Sequence, residues 1–155
     1  MKKTLLFALA LIAVGCTDAG QSALCEGLSE GSPLEDVRTC AEQGYAPAQV
    51  QLGYVYARGD GVPEDDAEAV RWYRLAAEQG YAIAQNNLGF MYREGRGVPE
   101  DDVLAYMWYN LAAAQGNETA QSNKDRAERR MTPEQIADAQ RLTREWLEAH
   151  PPGGN

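Results

Sequence analysis

The chain has 155 residues, of which 45% are hydrophobic and 24% charged, and its formal net charge at pH 7 is −9. This composition is ordinary for a soluble globular domain and excludes collagen-like and wholly disordered chains. The acidic balance repels phosphate backbones and no basic stripe offsets it, which argues against nucleic-acid binding.

The first segment is predicted to be a signal peptide over residues 1–15. Lys2 and Lys3 form a positive start, and residues 5–14 are an uninterrupted apolar run. That run is far shorter than the roughly 20 residues that a membrane-spanning helix needs, so it is typical of an export signal.

Residues 13–16, Ala-Val-Gly-Cys, resemble a bacterial lipobox. The resemblance implies that Cys16 is lipidated and that residues 16–20 are a short linker. With Thr17 after the cysteine, it also implies an outer-membrane lipoprotein facing the periplasm. The lipobox prefers Leu at the position of Ala13, so ordinary cleavage, giving a soluble periplasmic or secreted protein, is the alternative.

The cysteines favour the same compartment. Acylation of Cys16 would leave Cys25 and Cys40 as an even pair, and an oxidising periplasm predicts that these two form a disulfide. The only histidine is His150, near the C-terminus. We therefore expect neither a metal site nor a Cys/His nucleophile.

Residues 21–45 are predicted to form a degenerate N-terminal capping repeat. Residues 33–44 resemble the second helix of the units that follow, since Gly44 lies 36 positions before Gly80. Residues 21–30 are then a short first helix. A bridge between Cys25 and Cys40 would tie this truncated unit together.

Residues 46–80 and 81–116 are predicted to be two copies of one repeat. They align without a gap at a spacing of 36 residues, and many identical residues in register exclude chance. The residues that recur 36 positions later are Ala48, Leu52, Gly53, Tyr56, Gly59, Gly61, Val62, Pro63, Asp66, Ala69, Trp72, Tyr73, Ala76, Ala77 and Gly80.

Each copy is predicted to be a helix A, a turn and a helix B. The apolar residues of both segments recur at helical spacing, and a Gly- and Pro-containing stretch separates them. Asp65 and Asp66 precede helix B, where carboxylates cap free N–H groups. Gly80 stands where a helix ends in a left-handed residue. Gly53 and Trp72 fall on the packed faces, so we expect close helix contact and a buried indole, not a ligand site.

The motif over residues 46–116 resembles the Sel1-like repeat, a relative of the tetratricopeptide repeat. The matching pattern is A-x-x-x-L-G-x-x-Y-x-x-G-x-G-V followed by D-x-x-x-A-x-x-W-Y-x-x-A-A-x-x-G. The resemblance implies an all-α fold, a right-handed superhelix of stacked helix pairs with terminal capping helices. It also implies a role in assembling protein complexes.

The remaining segments are predicted to close the array. Residues 117–149 are interpreted as C-terminal capping helices. The second of them starts with Thr132 as N-cap, Pro133 at N1 and Gln135 at N3, and an apolar stripe follows. Residues 150–155 are predicted to be a disordered tail.

Function is expected on the side of helix A that the fold does not need. The predicted partner-binding residues, on the concave wall that the resemblance implies, are Val50, Tyr54, Arg58, Asn86, Phe90 and Arg93. Aromatic residues and Arg are enriched in interface hot spots, although the same aromatics could instead pack between units.

The sequence thus predicts a non-enzymatic envelope scaffold that binds a protein or peptide, without cofactor or metal and as a monomer. The alternative is a β-lactamase-like or penicillin-binding protein of the cysteine-rich Sel1-like type. The S-x-x-K motif of the serine enzymes is absent, because Gln121 stands three residues before Lys124.

Overall fold

A computed structural model describes residues 23–29 and 31–151, and the predicted signal peptide and Cys16 lie outside them. The described residues are all-helical. A short helix, α1, covers residues 23–26. The others are α2 (Leu34–Glu42), α3 (Ala46–Arg58), α4 (Asp66–Glu78), α5 (Ala82–Glu94), α6 (Asp102–Ala114), α7 (Glu118–Glu128) and α8 (Pro133–Ala149). Within the described residues, no helix has the length and apolar character that crossing a membrane requires.

The helices stack as an αα-repeat solenoid. Helix α3 packs on α4 and α5 packs on α6 as the A and B helices of the two repeats, and α4 also packs on α5 of the next unit. Helix α2 precedes this array as a B helix and α7 follows it as an A helix. The sequence prediction of an all-α repeat fold is therefore confirmed.

The helix ends follow the predicted chemistry. The Asp65 carboxylate accepts a hydrogen bond from the N–H of Glu68 at 3.0 Å, and Asp101 caps α6 in the same way with Leu104 at 2.9 Å. Thr132 and Gln135 form a reciprocal capping box at the start of α8. These caps satisfy N–H groups that a helix leaves unpaired.

Helices A and B come close at one glycine in each unit. A Cβ atom added at Gly53 would lie 2.5 Å from Tyr73 Cε1, and one at Gly89 would lie 2.8 Å from Tyr109 Cδ1. Only a residue without a side chain lets the tyrosine ring lie on the backbone at this distance. The predicted reason for these glycines is confirmed.

Buried glutamines join each unit to the previous one. Gln49 Nε2 donates a hydrogen bond to the Ala41 carbonyl at 3.1 Å, and its Oε1 accepts one from Gln79 Nε2 at 2.8 Å. The second repeat has the same arrangement, since Gln85 donates to the Ala77 carbonyl at 3.2 Å and accepts from Gln115 at 2.8 Å. Satisfied amides of this kind fix one relative position of the stacked helices.

The N-terminal unit is held by the predicted disulfide. Cys25 and Cys40 are bonded with an S–S distance of 2.04 Å, and both lie in a buried cluster with Val37 and Trp72. The cluster contains residues of α2, α3 and α4, so the bond ties α1 to the start of the repeat array. The indoles of Trp72 and Trp108 are both buried, as the sequence predicts.

The C-terminal end differs from the prediction at one residue. His150 was expected in a disordered tail, but it caps α8, its N–H bonds the Trp146 carbonyl at 2.9 Å, and its ring stacks on Trp146 with centroids 4.3 Å apart. Aromatic stacking on a partly buried indole and the backbone hydrogen bond both help to hold this residue in place. Residues 152–155 lie outside the described residues.

Candidate partner-binding surface

The outward side of α3 and α5 carries large exposed apolar side chains. Tyr54, Ile83 and Phe90 are 45%, 43% and 37% exposed. Ile83, Asn87 and Phe90 follow one another at i, i+4 and i+7, which places them on one face of α5. We call the surface formed by Tyr54, Ile83, Asn87 and Phe90 the A-face.

Two interactions organise the A-face. The Tyr54 hydroxyl donates to Asn87 Oδ1 at 3.5 Å, which links α3 to α5, and the edge of its ring contacts Tyr73 with centroids 5.8 Å apart. The guanidinium of Arg93 lies 5.3 Å from the centre of the Phe90 ring, at cation–π distance. Each aromatic ring therefore contacts a neighbouring side chain, and each residue is still more than a third exposed.

Three of the predicted binding residues are placed differently from expectation. Val50 is wrong as a binding residue, because it is only 6% exposed and lies in the main core cluster with Ala84 and Leu88 of the next unit. Asn86 accepts a hydrogen bond from Asn123 of α7 at 2.9 Å, so it bridges two A helices. Arg93 is mostly covered and pairs with Glu94.

The remaining three predicted residues are exposed. Tyr54 and Phe90 belong to the A-face, and Arg58 points into solvent at the end of α3, paired with Asp60 at 3.5 Å. Ile83 and Asn87 were missed. The signal for them was available, since counting back seven and three residues from Phe90 at helical spacing leads to both positions.

The A-face offers mainly apolar and aromatic side chains to another molecule. Its side chains are two aromatic rings, an isoleucine and an amide, and no described residue set of three or more His, Cys, Asp or Glu could hold a metal ion. Both Cys25 and Cys40 are used in the disulfide. Chemically, such a surface offers apolar and aromatic contact to another chain.

The comparisons with known proteins agree with the architecture. The Sel1 repeat model matches residues 46–81 and 82–117. No protein of curated function matches the chain.

Two proteins are among the solved structures that are similar to this chain. One is c5321, a protective antigen present in uropathogenic Escherichia coli strains and displaying an SLR fold, with 32% identity and a TM-score of 0.73 over 83% of this chain and 28% of that chain. The other is a Sel1 repeat protein from Oxalobacter formigenes, with 41% identity and a TM-score of 0.52 over 53% of this chain and 34% of that chain. The chain thus spans about a third or less of the length of either relative.

Proposed function

We propose that the protein is a non-enzymatic scaffold that binds a protein or peptide partner on its A-face, from the premise that residues 46–81 and 82–117 match the Sel1 repeat model. Sel1 repeats generally mediate contacts between proteins. The observation that carries the proposal is the exposure of Tyr54, Ile83 and Phe90 together on neighbouring A helices.

The energetic argument rests on these rings. Aromatic side chains dominate interface hot spots because they bury a large area at little cost in conformational entropy. Neither Tyr54 nor Phe90 is a member of the three buried clusters, and Tyr54 touches Tyr73 of the first one in an edge-to-face contact. A partner that covers them would gain apolar burial that folding of the array itself does not supply.

The test is capture of partners by chemical cross-linking in intact cells that produce the wild-type chain or the Tyr54→Glu/Phe90→Glu double variant. We expect a small set of envelope proteins to be lost with the double variant. Leu147→Glu is the matched control, because Leu147 is an equally exposed apolar residue on α8, away from the A-face. It should retain the same set.

The folded state of the variants must be established by circular dichroism and thermal melting. Should the double variant unfold, Ile83→Glu tests the A-face on its own, since this side chain is exposed and lies outside the core clusters. Equal capture by wild type and folded A-face variants would show that partners bind elsewhere.

We further propose that the protein is anchored in the bacterial envelope, in the outer membrane facing the periplasm, through a lipid on Cys16. The support is the lipobox-like sequence at residues 13–16 and the Cys25–Cys40 disulfide, which requires an oxidising compartment. Mass spectrometry of the membrane fraction should find acyl chains on Cys16. With Cys16→Ser, the protein should leave that fraction, and a soluble unmodified wild-type chain would contradict the anchor.

The same purified chain tests the non-enzymatic part of the proposal. Nitrocefin should not be hydrolysed above the rate of a heat-denatured sample. Turnover that survives purification would contradict the scaffold assignment and favour the β-lactamase-like alternative.

A further inference from the structure

A groove opens on the outer side of the first repeat, away from the residues of the A-face. It lies between the C-terminal end of α2 and the outer side of α4, and its volume is about 580 Å³. Its lining includes Ala41, Glu42, Trp72, Leu75, Glu78 and Gln79. We call it the Trp72 groove.

At two of the corresponding positions of the second repeat, the side chains are covered. Leu75 is 37% exposed, whereas Leu111, which lies 36 positions later, is only 3% exposed. Arg71 is exposed, whereas the corresponding Met107 is buried.

The cover in the second repeat is helix α8. It packs along α6, and its Leu142 and Trp146 contact the cluster that contains Met107 and Leu111. The rings of Trp108 and Trp146 meet edge to face with centroids 6.0 Å apart. In the second repeat, the outer side of the B helix α6 is therefore covered by another helix, α8, through an aromatic residue.

The rim of the Trp72 groove carries two acidic side chains, Glu42 and Glu78. Arg71 is bound to Glu68 of the same helix at 3.0 Å, so its charge is already compensated, and its guanidinium lies 4.3 Å from the centre of the Trp72 ring. Within the described part of the chain, no basic group lies within 4.0 Å of the carboxylates of Glu42 or Glu78. Two uncompensated carboxylates beside an exposed leucine select for basic side chains on whatever covers it.

We propose that the Trp72 groove is a second docking site, which binds an amphipathic helix of a partner protein. The helix packs an aromatic side chain against the exposed Leu75, beside the Arg71 guanidinium that covers Trp72, and its basic residues face Glu42 and Glu78. This site shares no residue with the A-face. A substitution that abolishes binding at one site should therefore leave binding at the other unchanged.

The probe is a fluorescein-labelled peptide of residues 132–150 with Glu145→Lys and Glu148→Lys, which keeps the aromatic stripe of α8 and makes its polar face basic. Fluorescence anisotropy with the disulfide-bonded chain should show saturable binding. Leu75→Glu should weaken it by at least about tenfold, because a central apolar contact is replaced by a charge. Ile83→Glu, the matched change on the A-face, should leave it unchanged.

The electrostatic part is tested separately on two exposed rim residues. The Glu42→Lys/Glu78→Lys variant should bind the basic peptide about tenfold more weakly than the wild-type chain does. The peptide that keeps Glu145 and Glu148 should bind the wild-type chain with a similarly reduced affinity. A peptide with Trp146→Ala should lose affinity for the wild-type chain.

Three results would overturn the proposal. They are absence of saturable peptide binding, equal affinity for wild type and Leu75→Glu, and equal loss of affinity with Ile83→Glu. Sedimentation of the chain alone gives the last check. A dimer that Leu75→Glu dissociates would assign the groove to a second copy of this chain instead of a partner.

Discussion

Arg96 forms a two-pronged ion pair with Asp66 that joins the two repeats. Its Nη2 donates to Asp66 Oδ1 at 2.6 Å and its Nε donates to Oδ2 at 3.0 Å. The same Nη2 group reaches the Ala57 carbonyl at 3.1 Å, at the end of α3. A planar guanidinium is suited to this geometry, and a lysine could not reproduce it.

This contact leads to the first prediction. Arg96→Gln should lower the free energy of unfolding by about 1–2 kcal/mol. The ion pair that it removes is only partly screened by solvent, and the substitution also leaves the Ala57 carbonyl without a donor. Urea denaturation measures the change. Arg58→Gln is the control, because its pair with Asp60 is highly exposed and should contribute nothing measurable. Equal effects of both substitutions would refute the structural role of Arg96.

The second prediction concerns the close contact of helices A and B. Gly53→Ala should destabilise the protein by about 1–3 kcal/mol, because the new methyl group would overlap the Tyr73 ring and push α3 from α4. Gly31→Ala adds the same group at a position with no atom within 4 Å and should be neutral. Thermal melting of both variants gives the comparison, and a neutral Gly53→Ala would mean that the helices separate easily.

The third prediction concerns the disulfide. Reduction, or the Cys25→Ala/Cys40→Ala variant, should cost about 3 kcal/mol, as expected for a closed loop of 15 residues. The loss should appear as early opening of the N-terminal unit, because that end has one neighbouring helix pair fewer to pack against. Hydrogen exchange should locate it in α2. Uniform loss of protection over all helices would contradict a local role.

The fourth prediction concerns alkaline pH. Burial raises the pKa of Tyr109 from 10.0 to about 12, so the folded state keeps the neutral phenol where the unfolded chain ionises. The contribution of the buried neutral phenol to the free energy of unfolding is fully present below pH 10. It is lost as the pH rises from 10 to 12, because the phenol of the unfolded chain ionises first. The loss amounts to about 3 kcal/mol. Unfolding free energies between pH 8 and 12 should show this decline.

Tyr109→Phe should flatten part of that decline. Among the described residues, no acceptor lies within hydrogen-bonding distance of the Tyr109 hydroxyl, so its removal at pH 7 should be neutral or stabilising by up to about 1 kcal/mol. The raised pKa of Tyr73, caused mainly by burial and next by Tyr54, should preserve the rest of the decline. A pH profile identical to wild type would refute the role of Tyr109.

The sequence predicted the repeat and its local chemistry well. The 36-residue spacing located both helix pairs, and the capping residues Asp65 and Thr132 act as their types suggest. The disulfide followed from cysteine number and compartment. These features depend on residue type and short spacing, which are read directly from one chain.

The exposed surface was harder to predict because it depends on neighbouring units. Viewed as an isolated helix, α3 has Val50 opposite its packed stripe, yet Val50 is buried against Ala84 and Leu88. An A helix in a stack contacts both its own B helix and the next unit. Fewer of its residues are therefore exposed than in a helix with one buried face and one solvent-exposed face. The cover of Leu111 by α8 is likewise a long-range contact that no local pattern contains.

The glutamine pairs carry a consequence for the evolution of the chain. Gln49 bonds the helix before it and is held by Gln79 of its own unit, and the next unit repeats this with Gln85 and Gln115. Each segment of 36 residues therefore carries both halves of a junction. An in-frame duplication of residues 46–81 would insert a unit whose glutamine bonds match at both boundaries, whereas Asp60 would take the place of Arg96 beside Asp66. The array can therefore lengthen in one genetic step with its amide junctions intact and one ion pair missing.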